Sequence, residues 1–180
     1  MAFAILRAEK LKTMGNIGGS LAHNYRTIDT PNANPSQTPN NFHSLKDSEA
    51  VKAAISERLP EKRRSDAVLC VEYMITASPE WQGWNDERQN EYFKQAVDWL
   101  EQRHGKHNVV ATSIHRDETT PHLIAYVVPL DQDTGKLNAK KFLGGKAKLA
   151  EMQSSFSDHV KNLGLKRGIE GSKAKHTRIK

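Results

Sequence analysis

The stretch NVVATSIHRDETTPHLIAYVVPL, residues 108–130, decides the fold. Its apolar runs, 108–117 and 122–130, read as strands, and the polar DETTP between them reads as the turn of a hairpin. Residues flanking such a turn face each other across the ladder, at roughly 4.5–5.5 Å between Cβ atoms. His115 and His122 are therefore expected to be opposite each other. Two imidazoles so placed can share one cation, with Asp117 or Glu118 of the turn adding a carboxylate as ligand or general base. That donor set suits manganese, zinc or nickel and, with more oxygens, magnesium. A plainer reading, surface residues around a Thr/Pro turn, fits the bare spacing too. Strand alternation puts residue 124 on the face of His122, where a third ligand would stand; the residue is Ile124.

Outward from the hairpin, strands and helices alternate. Residues 2–11 read as a strand. NIGGSLAHNYR (16–26) reads as a glycine turn running into a short helix. Residues 27–43, rich in Pro, Asn, Ser and Thr, read as a long loop. A helix is expected over 47–59, capped by Asp47 or Ser48 and stopped by Pro60. DAVLCVEYMIT (66–76) is a mostly apolar strand, expected to be buried on both faces. A long helix over 85–105 has Asn85 as its cap and Gly105 as its end. A second, within 144–164, carries Leu149, Met152, Phe156 and Val160 in register. This order predicts an α+β domain, a largely antiparallel central sheet with helices packed against it. Residues 1–165 form the expected domain and 166–180 a basic arm.

Glu72 breaks the apolar run of the central strand, where an unpaired charge is costly. It is either a substitute for the missing third ligand or half of a salt bridge. His23 lies in HNYR beside Asn24, which can hold an imidazole tautomer, and Arg26, which can hold a phosphate. Spacing alone does not make His23 catalytic.

The 180 residues carry 27 Lys and Arg against 21 Asp and Glu, a net charge of +6. Nucleic acid is the partner that this charge favours over membrane, since no basic amphipathic helix is evident. Phosphate contacts are expected from Arg7, Lys10, Lys12, Arg26, Arg63, Arg64 and the tail, with Lys166, Arg167, Lys173, Lys175 and Arg178. The apolar runs are too short to cross a bilayer. MAFAILRAEKLK turns basic before any long apolar core develops, so no signal peptide is expected. With one cysteine, Cys70, neither a disulfide framework nor a cysteine zinc site is possible within the chain, and a cytoplasmic protein is expected.

Together, MGNIGGSLAHNYR (14–26), NANPSQTPNN (32–41), DAVLCVEYMIT (66–76), HRDETTPHLIAYVVPLD (115–131), GKLNAK (135–140) and SKAKH (172–176) resemble the plasmid mobilisation relaxases of the MobV, or Pre/Mob, type. These belong to the HUH nucleases, which cut single-stranded DNA. The resemblance implies a five-stranded antiparallel sheet with flanking helices. It implies Mn2+ or Mg2+ held by His115 and His122, with Glu118 as acid, ligand or base. The family pattern places a third histidine at Ile124, so Glu72, Glu118 or water would have to complete the site. The H-N-x-R motif matches His23, Asn24 and Arg26, with His23 the favoured nucleophile; a tyrosine often found after the Asn-rich loop is Phe42 here. Implied partners are single-stranded or hairpin DNA of a transfer origin, and a relaxosome or coupling protein. A longer full-length protein, with a homodimer formed through regions beyond this chain, is also implied. The competing readings are a rolling-circle replication initiator with a tyrosine nucleophile such as Tyr92, a DNA-binding module that has lost catalysis, and a metal-dependent hydrolase unrelated to DNA.

Overall fold

A computed structural model describes residues 1–168 of the chain. Five strands form one antiparallel sheet in the order β1-β3-β5-β4-β2: Ala4–Leu11, Cys70–Ala77, His122–Val127, Val109–His115 and Phe42–His43. Helices cover both faces. Helices α3 (Arg88–His104) and α5 (Gly145–Val160) pack Tyr92, Phe93, Trp99, Leu100, Phe156 and Val160 against Leu6, Tyr73, Ile75, Leu123 and Ala125. On the other face α1 (Met14–Asn24) and α2 (Ser48–Arg58) pack Ile17, Leu21, Val51 and Ile55 against Leu11, Cys70, Ile124 and Tyr126. The double cover explains why β5 is apolar without alternation: Leu123 and Ala125 serve one core, Ile124 and Tyr126 the other. Strand β3 is less complete, since Glu72, Met74 and Thr76 on the α1 side are only half-buried.

A bulge between Val109 and Ala111 decides what β4 presents. Val109 packs on the α3/α5 core. Unbroken alternation would send 111, 113 and 115 the same way. The extra residue inverts the parity, so Ala111, Ser113 and His115 share the α1 side with Tyr126, Ile124 and His122.

Four local expectations change. The glycines of MGNIGG are not a turn: Thr13 caps α1 by accepting from the Asn16 amide, and Gly15, Gly18 and Gly19 lie inside the helix. Full burial of Ile17 and Leu21, one turn apart, outweighs the poor helix propensity of glycine. The long loop contains β2, two residues that make the fifth strand. Asn85 does not cap α3; it ends a short 3₁₀ turn, and the helix starts at Arg88, whose amide donates to Asp86. Leu149 is exposed, while Met152, Phe156 and Val160 form the buried stripe of α5, preceded by the short helix α4 (Ala139–Leu143). The Asp47 cap on α2 and the Gly105 end of α3, at φ 93°, are as expected. Leu165 packs in the core and the Lys166 backbone bridges to β1's approach at Phe3. Among the described residues no helix is long and apolar enough to cross a membrane.

The buried pair Tyr73–His104 makes stability pH-dependent. The Tyr73 hydroxyl is 2.6 Å from His104 Nε2, and Phe142 lies against the ring. Burial, with the charge of Arg103, lowers the His104 pKa from 6.5 to about 3. The unfolded chain therefore binds a proton that the folded chain refuses. Stability is expected to fall as pH drops from about 6.5 towards 3, by up to about 1.4 kcal/mol per pH unit. Urea midpoints at pH 7, 6 and 5 check this, and His104→Gln should flatten the slope.

Candidate active site

His115 ends β4, His122 begins β5, and the two are a cross-strand pair, as expected. His115 Nδ1 is 2.9 Å from His122 Nε2, which is 3.1 Å from Glu118 Oε2 in the turn. The outer nitrogens fix the tautomers. His115 Nε2 lies 3.0 Å from the Asn24 carbonyl and His122 Nδ1 lies 3.3 Å from the Thr120 carbonyl. A carbonyl only accepts, so both outer nitrogens carry the hydrogen and both inner nitrogens present lone pairs. Two lone pairs and a carboxylate oxygen thus converge, all within 4.8 Å of one another. Lone pairs facing at this range repel unless a cation or proton lies between them. Burial, then the neighbouring charges of His122 and Arg26, lowers the His115 pKa to about 3, and burial also lowers that of His122. A proton is therefore a poor occupant, and a divalent cation suits the donor set.

The third donor comes from the turn and not from residue 124. Ile124 is 8% exposed and packs in the core beneath α1. Glu72 does not complete the set either. It pairs across the ladder with Tyr126, four residues along β5 from His122, a run of about 13 Å at ~3.3 Å per residue. Its Oε1 accepts from Ser20 Oγ on α1. Removing the charge of Glu118 while keeping its shape, by Glu118→Gln, is expected to weaken Mn2+ binding by about a hundredfold. Titration followed by the Mn2+ paramagnetic resonance signal measures this.

The last turn of α1 reaches the hairpin. Asn24 is buried; its backbone accepts from His115 and its Nδ2 donates to Ser113 Oγ at 3.1 Å. Ser113 Oγ is also hydrogen-bonded to His43 Nδ1 at 2.7 Å, and the His43 ring stacks on Tyr25 at 4.2 Å. His23, next to Asn24, is exposed. Arg26, expected to hold a phosphate, is engaged within the fold. Its Nε and Nη2 grip Asp117 at 2.8 and 2.7 Å, and its Nη1 donates to the His23 carbonyl at 2.9 Å. With its side chain 11% exposed, Arg26 clamps the end of α1 to the turn that carries Glu118. It does so at φ 57°, a left-handed backbone that a non-glycine residue holds only where its surroundings fix it. Burial opposes ionisation of Asp117, but the hydrogen bonds of Arg26, Thr38 and Asn41, with the charge of Arg26, hold its carboxyl well below the usual range.

Sequence reasoning missed Ser113 and His43, and read Asp117 as a ligand or base where the structure has it paired with Arg26. Ser113 was within reach, because it stands two residues before His115 and shares its face. Nothing local marks His43. Among the described residues the basic side chains do not form one stripe. Register puts Arg7 on the face of the histidines, through Met74 and Ile124, and Lys10 on the opposite face, through Val71 and Val127. Lys12 is exposed beside α1, Arg63 donates to the Pro60 carbonyl, and Arg64 pairs with Asp66 on the surface. Arg167 rests on Ser154 of α5. Lys173, Lys175 and Arg178 lie outside the described residues.

The tyrosines are all engaged. Tyr25 donates to the Leu45 carbonyl and Tyr92 to the Thr76 carbonyl; Tyr73 bonds to His104 and Tyr126 to Ser20. These are all four tyrosines of the chain.

The five-stranded fold matches that of a relaxase domain. The MobM relaxase domain, in a Mn-bound crystal structure with plasmid pMV158 oriT DNA at pH 5.5, superposes with a TM-score of 0.83 at 31% identity, covering 98% of this chain and 95% of that one. A second MobM structure, Mn-bound at pH 4.6, gives 0.81. The chain belongs to the plasmid recombination enzyme family, Mob_Pre, whose model matches residues 1–180. It is 36% identical over 98% of its length to a 65 kDa protein of Zymomonas mobilis subsp. mobilis, and 31% identical over 99% to a plasmid recombination enzyme of Streptococcus agalactiae. It spans 32% and 38% of those two relatives.

Proposed function

We propose that this chain is the nicking domain of a plasmid mobilisation relaxase. It cuts one strand of single-stranded or hairpin transfer-origin DNA and joins itself to the new 5′ phosphate through His23. The observation that carries this reading is the convergence of the His115 and His122 imidazoles with Glu118 beside the end of α1, where His23 is exposed. A divalent cation held by His115, His122 and Glu118 would draw charge from the non-bridging oxygens of the scissile phosphate. The two nitrogen donors favour Mn2+ over Mg2+, which prefers an all-oxygen shell.

His23 attacks with an unprotonated ring nitrogen. A P–N bond forms, the P–O3′ bond breaks, the imidazole gives up its other proton, and the departing 3′ oxygen takes one up as a hydroxyl. The phosphoramidate keeps the energy of the phosphodiester, so the strand can later be rejoined. Arg26 and Asn24 act through the backbone and Ser113 to hold His23 and the hairpin in register. Arg7, on the metal face, is the basic residue best placed to meet the strand, with Lys12 beside α1. Lys10, Arg63, Arg64, Lys173 and Lys175 would add phosphate contacts further out. The domain works on plasmid DNA in the cytoplasm. Contacts with a relaxosome or coupling protein, and dimer formation, belong to the further length that its relatives have.

The test is adduct formation with labelled single-stranded origin DNA and Mn2+, with and without chelator. A chelator-sensitive adduct that acid cleaves and alkali spares supports a phosphohistidine. An acid-stable adduct moves the nucleophile to another residue. DNA binding without any adduct makes the chain a binding module.

A further inference from the structure

Helix α1 is poorly equipped to hold itself. It has eleven residues, with Gly18 and Gly19 near its middle. Glycine is a poor helix former, and helices this short are marginal alone. Ile17 and Leu21 press it against the sheet, but apolar contact is tolerant of small rotations and slides. Direction has to come from polar links. One is Asn24, tied to Ser113 and His115. Another, besides the Arg26 clamp on the His23 carbonyl, stands one turn before Asn24 on the same side, at Ser20.

Ser20 Oγ donates to Glu72 Oε1 on β3. Its single proton is then used, so the Tyr126 hydroxyl of β5, 2.8 Å away, donates to Ser20. Tyr126 is fully buried and its phenol is kept protonated by burial and by the charge of Glu72, which fixes the direction of the chain Tyr126 to Ser20 to Glu72. The two anchors belong to adjacent strands inside the sheet. Ser20 precedes His23 by three residues, so the link sets the rotation of the turn from which His23 projects.

We propose that Ser20 is a positioning residue for the strand-transfer reaction: its hydroxyl, bonded to Glu72 and Tyr126, fixes the last turn of α1 and with it His23. The inference rests on the reading of His23 as nucleophile. A displacement of about 1 Å at a reacting group can cost a hundredfold in rate.

Two readouts on Ser20→Ala and Ser20→Thr, with wild type and His23→Ala alongside, test it. Amide exchange of Ala22, His23 and Asn24 should speed by about tenfold in Ser20→Ala, with α3 amides unchanged. Nicking at saturating DNA and Mn2+ should slow by about tenfold or more while DNA affinity stays within about twofold. Ser20→Thr, which keeps the hydroxyl, should restore both. Unchanged amide exchange overturns the proposal. So does faster exchange with a wild-type nicking rate, or a loss of nicking matched by loss of DNA affinity. An adduct that survives in His23→Ala would instead refute the nucleophile assignment and with it the role of Ser20 in strand transfer, while the exchange readout would still decide whether Ser20 fixes the turn.

Discussion

His23→Ala is expected to bind origin DNA within about twofold of wild type and to form covalent adduct at least a thousandfold more slowly, a loss of about 4 kcal/mol or more in transition-state stabilisation. The reason is that none of the four tyrosines has a free hydroxyl at the site. The Tyr92 and Tyr25 hydroxyls are committed to backbone carbonyls, and those of Tyr73 and Tyr126 are bonded within the core. Freeing Tyr92 would mean opening the α3 face of the sheet. His23 is exposed at the end of a helix whose next residue touches His115 through its backbone. Its side chain carries no core contact that alanine would remove, so the fold and DNA affinity should survive. Labelled DNA resolved on denaturing gels reads the adduct, and fluorescence anisotropy reads binding. Retention of adduct in His23→Ala would discard the assignment.

How much of this was legible in the sequence depends on the distance over which each feature is decided. The facing of His115 and His122 follows from a six-residue turn and a period of two, and the structure has it. Ile124 looked like a lost ligand because strand periodicity sees only the strand. Glu118 reaches the histidines because the turn curls back, and that curl is set by Asp117, held by Arg26 from ninety-one residues away in sequence. Glu72 was readable as a buried charge in need of a partner, but its partner, Ser20, is on a helix that glycines disguised as a turn. The bulge at Val109/Ala111, which turns His115 towards α1, leaves no local mark in a run of β-branched residues.

Arg26→Ala is expected to be the most damaging substitution for stability at the site, by about 3–5 kcal/mol, the range for breaking a buried ion pair from one side. Asp117 has no exposed side-chain surface, and without Arg26 its charge would keep only neutral donors such as Thr38. The loss has a partial offset, because alanine removes the left-handed strain only if the backbone can relax at residue 26. Arg26→Lys tests the clamp more finely. A lysine can neutralise Asp117 but cannot grip it with two parallel N–H groups while reaching the His23 carbonyl. It should recover part of the stability and little of the nicking rate. Double replacement, Arg26→Ala with Asp117→Asn, removes the stranded charge and should be more stable than Arg26→Ala alone. It would still nick slowly, since the Arg26 clamp between the end of α1 and the turn that carries Glu118 is then gone. Urea unfolding and single-turnover nicking of the three variants separate the two effects. Equal stability of the single and double variants would mean that Asp117 finds another partner when Arg26 is gone, and that the clamp matters less than its geometry indicates.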